Sequence, residues 1–152
     1  MERYATPTDE PFAVPVWEGQ PEFYRADLHF HDVEHRGGSY EARVFFDAPD
    51  ASPGTELTPE AGYAGSFYVF GHGPCFGDEG HCQVPEGPIH PFDYRPPHQL
   101  NPQLMVVTVT VALRRVVESG ASEFHVAVVP VRRGERAGDE LRFDQLSLVT
   151  YD

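Results

Sequence analysis

The amino-acid sequence predicts an all-β protein, an antiparallel β-sandwich of the jelly-roll or immunoglobulin-like type with about six to seven strands. Three observations favour this class. Short apolar or alternating runs recur along the chain, turn-forming residues separate them, and helical periodicity is confined to one short stretch near 112–119. A chain of 152 residues can bury the core of one such domain without disulfide bridges.

The N-terminal segment predicts an extended arm rather than a core element. Residues 1–22 contain four prolines, which interrupt both helices and strand ladders. We therefore expect a single sandwich domain over 23–152, preceded by this arm.

Two alternating runs predict the first pair of strands. Residues 24–31 and 39–47 place apolar side chains at every second position, and Gly37-Gly38 between them is typical of a turn. Together they predict a β-hairpin with Phe45 on its outer side. The outer face of the first strand would carry Arg25, Asp27, His29 and His31.

The stretch AGYAGSFYVFGHGPCFGDEGHC, residues 61–82, joins a strand to a chemically capable loop. Residues 63–70 are apolar or small without alternation, which predicts a central strand buried on both faces. Gly71 ends this strand. The loop that follows, 71–103, is rich in proline and contains both cysteines.

The C-terminal third predicts a strand, a short helix and two further strands. Residues 104–111 are rich in β-branched side chains, with Val111 on the same face as Met105. The helix near 112–119 would end at Gly120. Strands are predicted at 122–131 and 141–151.

A change of apolar phase divides the last of these strands. Phe143 and Leu146 belong to different alternations, so we expect a bulge at Asp144-Gln145.

Charge and composition exclude several classes of function. The net charge is −13, the sequence pI is about 4.9, and every basic residue except histidine is arginine. Such a chain is unsuited to nucleic acids and to anionic membranes. No apolar segment of the kind a secretory signal needs is present, so a cytoplasmic protein is expected. Export with a partner, or origin as a piece of a longer chain, are alternatives.

Several segments resemble the C-terminal domain of plant-type polyphenol oxidases and tyrosinases, which are type 3 copper proteins. Tyr63-Ala64-Gly65-Ser66-Phe67 is similar to that family's YAGSF strand, and 43–47 (RVFFD) to its KFDVFVN strand. Residues 107–133, VTVTVALRRVVESGASEFHVAVVPVRR, follow the family's order of strand, short helix and strand. Residues 141–149 resemble the closing strand.

The resemblance implies a shielding domain without the catalytic dicopper domain. We therefore expect a non-catalytic accessory protein that binds a type 3 copper oxidase or assists its copper loading. The carboxylates and Ser66 form no recognisable catalytic pattern, which also argues against an enzyme.

The loop after Gly71 supplies the alternative hypothesis. Two thiols and two imidazoles within eleven residues suit copper or zinc, as a small metal-binding protein would use them. A Cys75–Cys82 disulfide and inert side chains are competing interpretations. The candidate ligands are His72, Cys75, His81 and Cys82.

Two further groups invite interpretation. His29 and His31 share a strand face and could chelate a metal, although a solvated sheet surface is the favoured interpretation. In the long loop, Phe92 and Tyr94 could plug a partner's pocket, with His90 and His98 beside them, or could instead pin the loop onto its own sandwich.

Overall fold

The computed structural model describes residues 6–7, 10–15, 23–35, 37–71, 91–92, 102–137 and 141–152. It shows an antiparallel β-sandwich with one α-helix among these residues, which confirms the predicted fold class. The predicted division into an arm, 1–22, and a sandwich domain, 23–152, stays a prediction. Most of the predicted loop at 71–103 lies outside the described residues.

Ten strands form the described sheets, and six of them are longer than two residues. The strands are β1 Thr6–Pro7, β2 Phe12–Ala13, β3 Arg25–Val33, β4 Tyr40–Phe46, β5 Tyr63–Val69, β6 Gln103–Thr108, β7 Glu123–Phe124, β8 Val126–Arg132, β9 Glu135–Arg136 and β10 Gln145–Tyr151. A 3₁₀ turn covers Pro59–Ala61, and α1 covers Thr110–Ser119.

The strands pair into two main sheets. The larger sheet has the order β1-β8-β4-β5, with β9 paired to β8, and the smaller has the order β10-β3-β6. A separate two-residue pair joins β2 to β7, and there the rings of Phe12 and Phe124 stack with centroids 5.6 Å apart. The N-terminal segment thus adds main-chain pairing at two points.

The core lies between the two sheets. It joins apolar side chains of β3, β4, β5, β6, β8 and α1. Its largest fully buried members include Phe30, Phe124, Leu28 and Leu113. The alternation predicted for β3 and β4 is therefore correct for the residues that face this core, namely Ala26, Leu28, Phe30, Tyr40, Ala42, Val44 and Phe46.

The predicted hairpin between the first two long strands is wrong. β3 pairs with β10 and β6, whereas β4 pairs with β5 and β8, so the two strands belong to opposite sheets. The connection from Glu34 to Ser39 has six residues. That is enough extended chain to cross the roughly 10 Å between packed sheets, which a two-residue turn cannot do.

The prediction of a doubly buried strand at 63–70 is also wrong. β5 lies at the edge of the larger sheet, and Tyr68 and Phe70 are 66% and 83% exposed. β8 is buried on both faces, because Val126 and Val128 belong to the core between the sheets whereas Ala127, Val129 and Val131 belong to a second apolar cluster on the other face.

A second apolar cluster covers the outer face of the larger sheet. Phe45, predicted to point outward, is 0% exposed there because residues of the 48–63 segment pack over it. The cluster contains Phe45, Ala51, Ala127, Val129 and Val131, with Ala48 and Tyr63 packed against it.

The helix confirms the sequence pattern and begins earlier than predicted. α1 starts at Thr110, whose Oγ1 accepts a hydrogen bond from the Ala26 amide at 3.0 Å. Val111 is therefore an exposed helix residue and not part of the preceding strand. Gly120 ends the helix at φ 74°, a left-handed conformation that glycine adopts without strain.

The last strand begins at Gln145, and its register with β3 is regular to Tyr151. The phase change near Asp144 thus marks the start of a strand rather than a bulge. Phe143, which precedes it, packs edge-on against Phe30 with centroids 5.2 Å apart.

Candidate functional site

Most of the sequence-predicted site residues lie outside the described residues. This applies to the candidate metal ligands and disulfide partners and to three of the plug candidates: His72, Cys75, His81, Cys82, His90, Tyr94 and His98. The metal, disulfide and plug hypotheses therefore stay predictions. Phe92 is described, and its side chain is 78% exposed.

The point from which the His/Cys loop departs is well defined. β5 ends at Val69, and the amide of Gly71 donates a hydrogen bond to Ser39 Oγ at 3.0 Å. A Cβ at Gly71 would collide with the backbone of Gly37 and Gly38. The close approach of these two segments explains why glycine occupies this position, in addition to ending the strand as predicted.

An open cleft of about 360 Å³ lies beside this point, on the outer side of the larger sheet. We call it the β5 cleft. Exposed aromatic side chains of Tyr68 and Phe70 form one part of its wall. The remaining lining comes from the ends of β4 and β8 and the turn after β8: Ser39, Tyr40, Glu41, Arg43, Val69, Val131, Arg132, Arg133 and Gly134.

Arginines give the β5 cleft a local charge unlike that of the whole chain. Arg43 pairs with Glu41, with Nε 2.9 Å from Oε2, and also donates to the Pro53 carbonyl at 2.9 Å. Arg132 Nε donates to the Ser39 carbonyl at 3.0 Å. With Arg133 exposed at the turn, three arginines face one glutamate in this lining. The cleft therefore combines apolar rings with net positive charge.

A second polar surface covers the outer side of the smaller sheet. Asp27, predicted to be solvated, is 1% exposed, and its carboxylate holds Arg25 through contacts of 2.9 and 2.7 Å. Burial acts to raise the pKa of Asp27. Hydrogen bonds from Arg25 and Thr108 and the Arg25 charge outweigh burial, so the pKa lies below its usual value.

His29 and His31 lie on the same surface, next to Asp27. Their ring centroids are 6.1 Å apart, and His31 Nε2 lies 2.8 Å from Ser147 Oγ on β10. Both rings are partly exposed. The strand periodicity that predicted a shared face for these residues is therefore correct, whereas their surroundings are less solvated than expected.

The described part of the chain contains neither a ready metal site nor a membrane-spanning helix. Within it, no three histidine, cysteine, aspartate or glutamate side chains converge as a ready metal-ligand group. No helix found there is long and apolar enough to cross a membrane.

The sequence pattern did not predict the β5 cleft. Tyr68 and Phe70 were assigned to the core, since an aromatic run without alternation suggests burial. The available signal was Arg132-Arg133-Gly134, where charged residues and a glycine mark an exposed turn.

Comparison with solved structures finds latent aurone synthase, a polyphenol oxidase, both recombinantly expressed and from its natural source. The TM-scores are 0.55 and 0.56 at 15% identity, and each match covers 98% of this chain. The chain spans a quarter of the oxidase chain, as expected for likeness to a C-terminal domain alone. The predicted resemblance is confirmed at the level of the fold. No family model and no curated protein matches the chain by sequence.

Proposed function

We propose that this chain is a non-catalytic accessory β-sandwich that binds a type 3 copper oxidase. The observation that carries the proposal is the fold match, which covers 98% of this chain but only 25% of a polyphenol oxidase chain. The activity named for that oxidase belongs to the oxidase. What the likeness supports is a sandwich of the kind that accompanies such an enzyme, with the contact made between chains.

The β5 cleft supports this proposal as the contact surface. Tyr68 and Phe70 expose large aromatic side chains next to arginine, and aromatic residues and arginine are the types that contribute most to protein interfaces. Phe92, which is not among the residues that line the cleft, is another exposed ring, and it could enter a partner's pocket. The partner surface would be acidic around an apolar centre, which complements the cleft arginines.

Assistance with copper loading is the second part of the proposal. The thiols and imidazoles of the loop after Gly71 are suited to carry copper towards a partner held at the adjacent cleft. In this arrangement the cleft binds the oxidase, and His72, Cys75, His81 and Cys82 hold the ion.

Co-expression tests both parts. The tagged chain is produced together with a dicopper phenol oxidase from a neighbouring gene and is then purified through its tag. The amount of oxidase in the eluate is measured, together with its activity and copper content. We expect co-elution, and capture reduced about tenfold or more by Tyr68→Ala with Phe70→Ala. Val111→Ala, which removes an exposed apolar side chain on α1, is the matched control and should leave capture unchanged.

The outcomes separate the claims. If the unaltered chain neither retains the oxidase nor changes its activity or copper content, the accessory role is refuted. Equal capture by the double variant would refute the β5 cleft as the contact. A Cys75→Ser, Cys82→Ser variant should retain capture and lower the copper content of the oxidase, and unchanged copper content would refute loading through the loop.

A further inference from the structure

Two imidazole rings lie side by side on the outer face of the smaller sheet. His29 and His31 are two positions apart on β3, so their side chains leave the strand on the same side. The ring centroids are 6.1 Å apart, and the ring planes are inclined by 58°. We propose that His29 and His31 form an open chelating site for a borderline divalent transition-metal ion, with Cu²⁺ the preferred ion.

The spacing is within reach of one ion. An imidazole nitrogen lies about 2.0–2.1 Å from a bound metal, so each ring centroid lies roughly 3.2 Å from it and one ion can span centroids up to about 6.4 Å apart. The observed 6.1 Å is within this limit. Two adjacent positions in the square-planar geometry that Cu²⁺ prefers are about 90° apart, which requires centroids about 4.5 Å apart. Side-chain rotation on a partly exposed strand can supply this change.

The neighbouring groups leave the two rings available. The Asp27 carboxylate binds Arg25 at 2.7 Å, and Asp27 and His29 also interact through their charges. A carboxylate beside the site would favour a bound cation over the empty site. Ser147 is paired with His29 in the β3-β10 ladder and reaches diagonally to His31, with 2.8 Å between Oγ and Nε2. When the hydroxyl donates, Nε2 carries the lone pair that a metal ion needs, and the ion would replace the hydroxyl.

The ligand set determines which ion binds best. Imidazole nitrogen suits copper, nickel and zinc, and for one nitrogen site the affinity rises to Cu²⁺ and falls again at Zn²⁺. Two protein ligands leave further coordination positions for water or for a group from another molecule. The site is therefore an exchangeable one, distinct from the closed four-ligand sites that stabilise folds.

Metal titration of the full-length chain tests the proposal. The Cys75→Ser, Cys82→Ser background removes the loop thiols, and calorimetry with CuCl₂ and ZnCl₂ measures affinity and stoichiometry. We expect one Cu²⁺ with nitrogen hyperfine structure in its electron paramagnetic resonance spectrum, and weaker binding of Zn²⁺. His29→Gln and His31→Gln should each lower Cu²⁺ affinity at least about tenfold, because loss of a residue that merely supports a metal ligand already costs about that much.

A matched variant controls for the other histidines. His125→Gln removes a half-exposed imidazole that lies next to Asp47, and it should leave Cu²⁺ affinity unchanged. The proposal is overturned if the His29 and His31 variants bind Cu²⁺ as tightly as the His125 variant, or if Zn²⁺ binds more tightly than Cu²⁺. If the serine background fails to fold, the same comparison of histidine variants in the unaltered chain decides the question, since the thiols are then common to every variant.

Discussion

Replacing Gly65 by alanine probes a point on β5 that lies close to β6 of the other sheet. Gly65 has φ 149°, a conformation that residues with a side chain rarely adopt. It follows a register shift, since Val44 pairs with Gly65 whereas Phe45 pairs with Tyr63. A Cβ at Gly65 would lie 2.7 Å from Val107 Cγ1, on β6 of the other sheet. Alanine there must both strain the backbone and displace a buried valine.

The two effects set the expected loss of stability. A side chain held in a disfavoured backbone conformation costs on the order of 1–3 kcal/mol. Inserting a methyl group into a packed core costs about 1–3 kcal/mol more, and Val107 is only 4% exposed, so it has little room to move. The sum is roughly 2–6 kcal/mol. This is a large share of the free energy of unfolding of such domains, which is about 5–15 kcal/mol.

Urea unfolding of four variants separates the steric effect from the backbone effect. Gly134→Ala measures the cost of alanine at a positive φ without a steric clash, because Gly134 has φ 82° and a Cβ there would meet nothing within 4 Å. The coupling of Gly65→Ala with Val107→Ala isolates the steric effect itself. We expect Gly65→Ala to be clearly more destabilising than Gly134→Ala. Combining it with Val107→Ala should recover about 1–2 kcal/mol relative to the sum of the single changes. Equal losses for the two glycine variants, together with strict additivity with Val107→Ala, would refute the steric argument.

Three other expectations follow from buried side chains. The pKa of Asp27 is lowered in the fold, so its stabilising effect is complete above the usual pKa of 3.8 and is lost as the pH falls through the folded pKa. The urea midpoint, measured between pH 5.5 and 3, should therefore fall more steeply for the unaltered chain than for Asp27→Asn. Phe124→Ala should cost about 3–5 kcal/mol in urea unfolding, since its ring is fully buried between Phe12 and Phe46, and Phe12→Ala should cost less because Phe12 is only partly buried. Phe45→Ala should cost a similar 3–5 kcal/mol, whereas the exposed Tyr68→Ala should change stability by about 0.5 kcal/mol or less; the reverse order would contradict the assignment of Phe45 to the second cluster.

Local patterns predicted the elements whose structure depends on local packing. The alternation in β3 identified Ala26, Leu28 and Phe30 as core residues, and Gly120 identified the end of α1, because periodicity and left-handed conformation are properties of a few consecutive residues. Strand partners depend on contacts between distant segments. Residues 24–47 alone therefore could not show whether the chain forms a hairpin after β3 or crosses to the other sheet.

The burial of individual side chains was predicted wrongly for the same reason. Phe45 is buried because the 48–63 segment folds over it, whereas Tyr68, which lies opposite Glu41 farther along the same face, is exposed. The local pattern of apolar residues predicts neither the burial of Phe45 nor the exposure of Tyr68. Asp27 is buried together with the half-exposed Arg25, and a pairing of residues two positions apart on one face looks in sequence like an ordinary solvated strand.

The candidate site could be predicted only in its chemistry. Histidine, cysteine and glycine after residue 70 indicated a reactive loop from composition, whereas the β5 cleft required knowing that the ends of β4 and β8 meet β5. The shared face of His29 and His31 followed from strand periodicity, but their proximity to Ser147 depends on the pairing of β3 with β10.

The two proposed surfaces lie on different sheets, and this makes them separable by experiment. The β5 cleft belongs to the larger sheet, whereas His29 and His31 project from the smaller one, with the apolar core between the sheets. Since neither surface shares a side chain with the other, changes in one should add to changes in the other without coupling. We therefore expect Tyr68→Ala with Phe70→Ala to leave Cu²⁺ affinity intact, and His29→Gln to leave oxidase capture intact. If His29→Gln abolished capture, the oxidase would instead contact the smaller sheet, and the metal ion would lie within the interface.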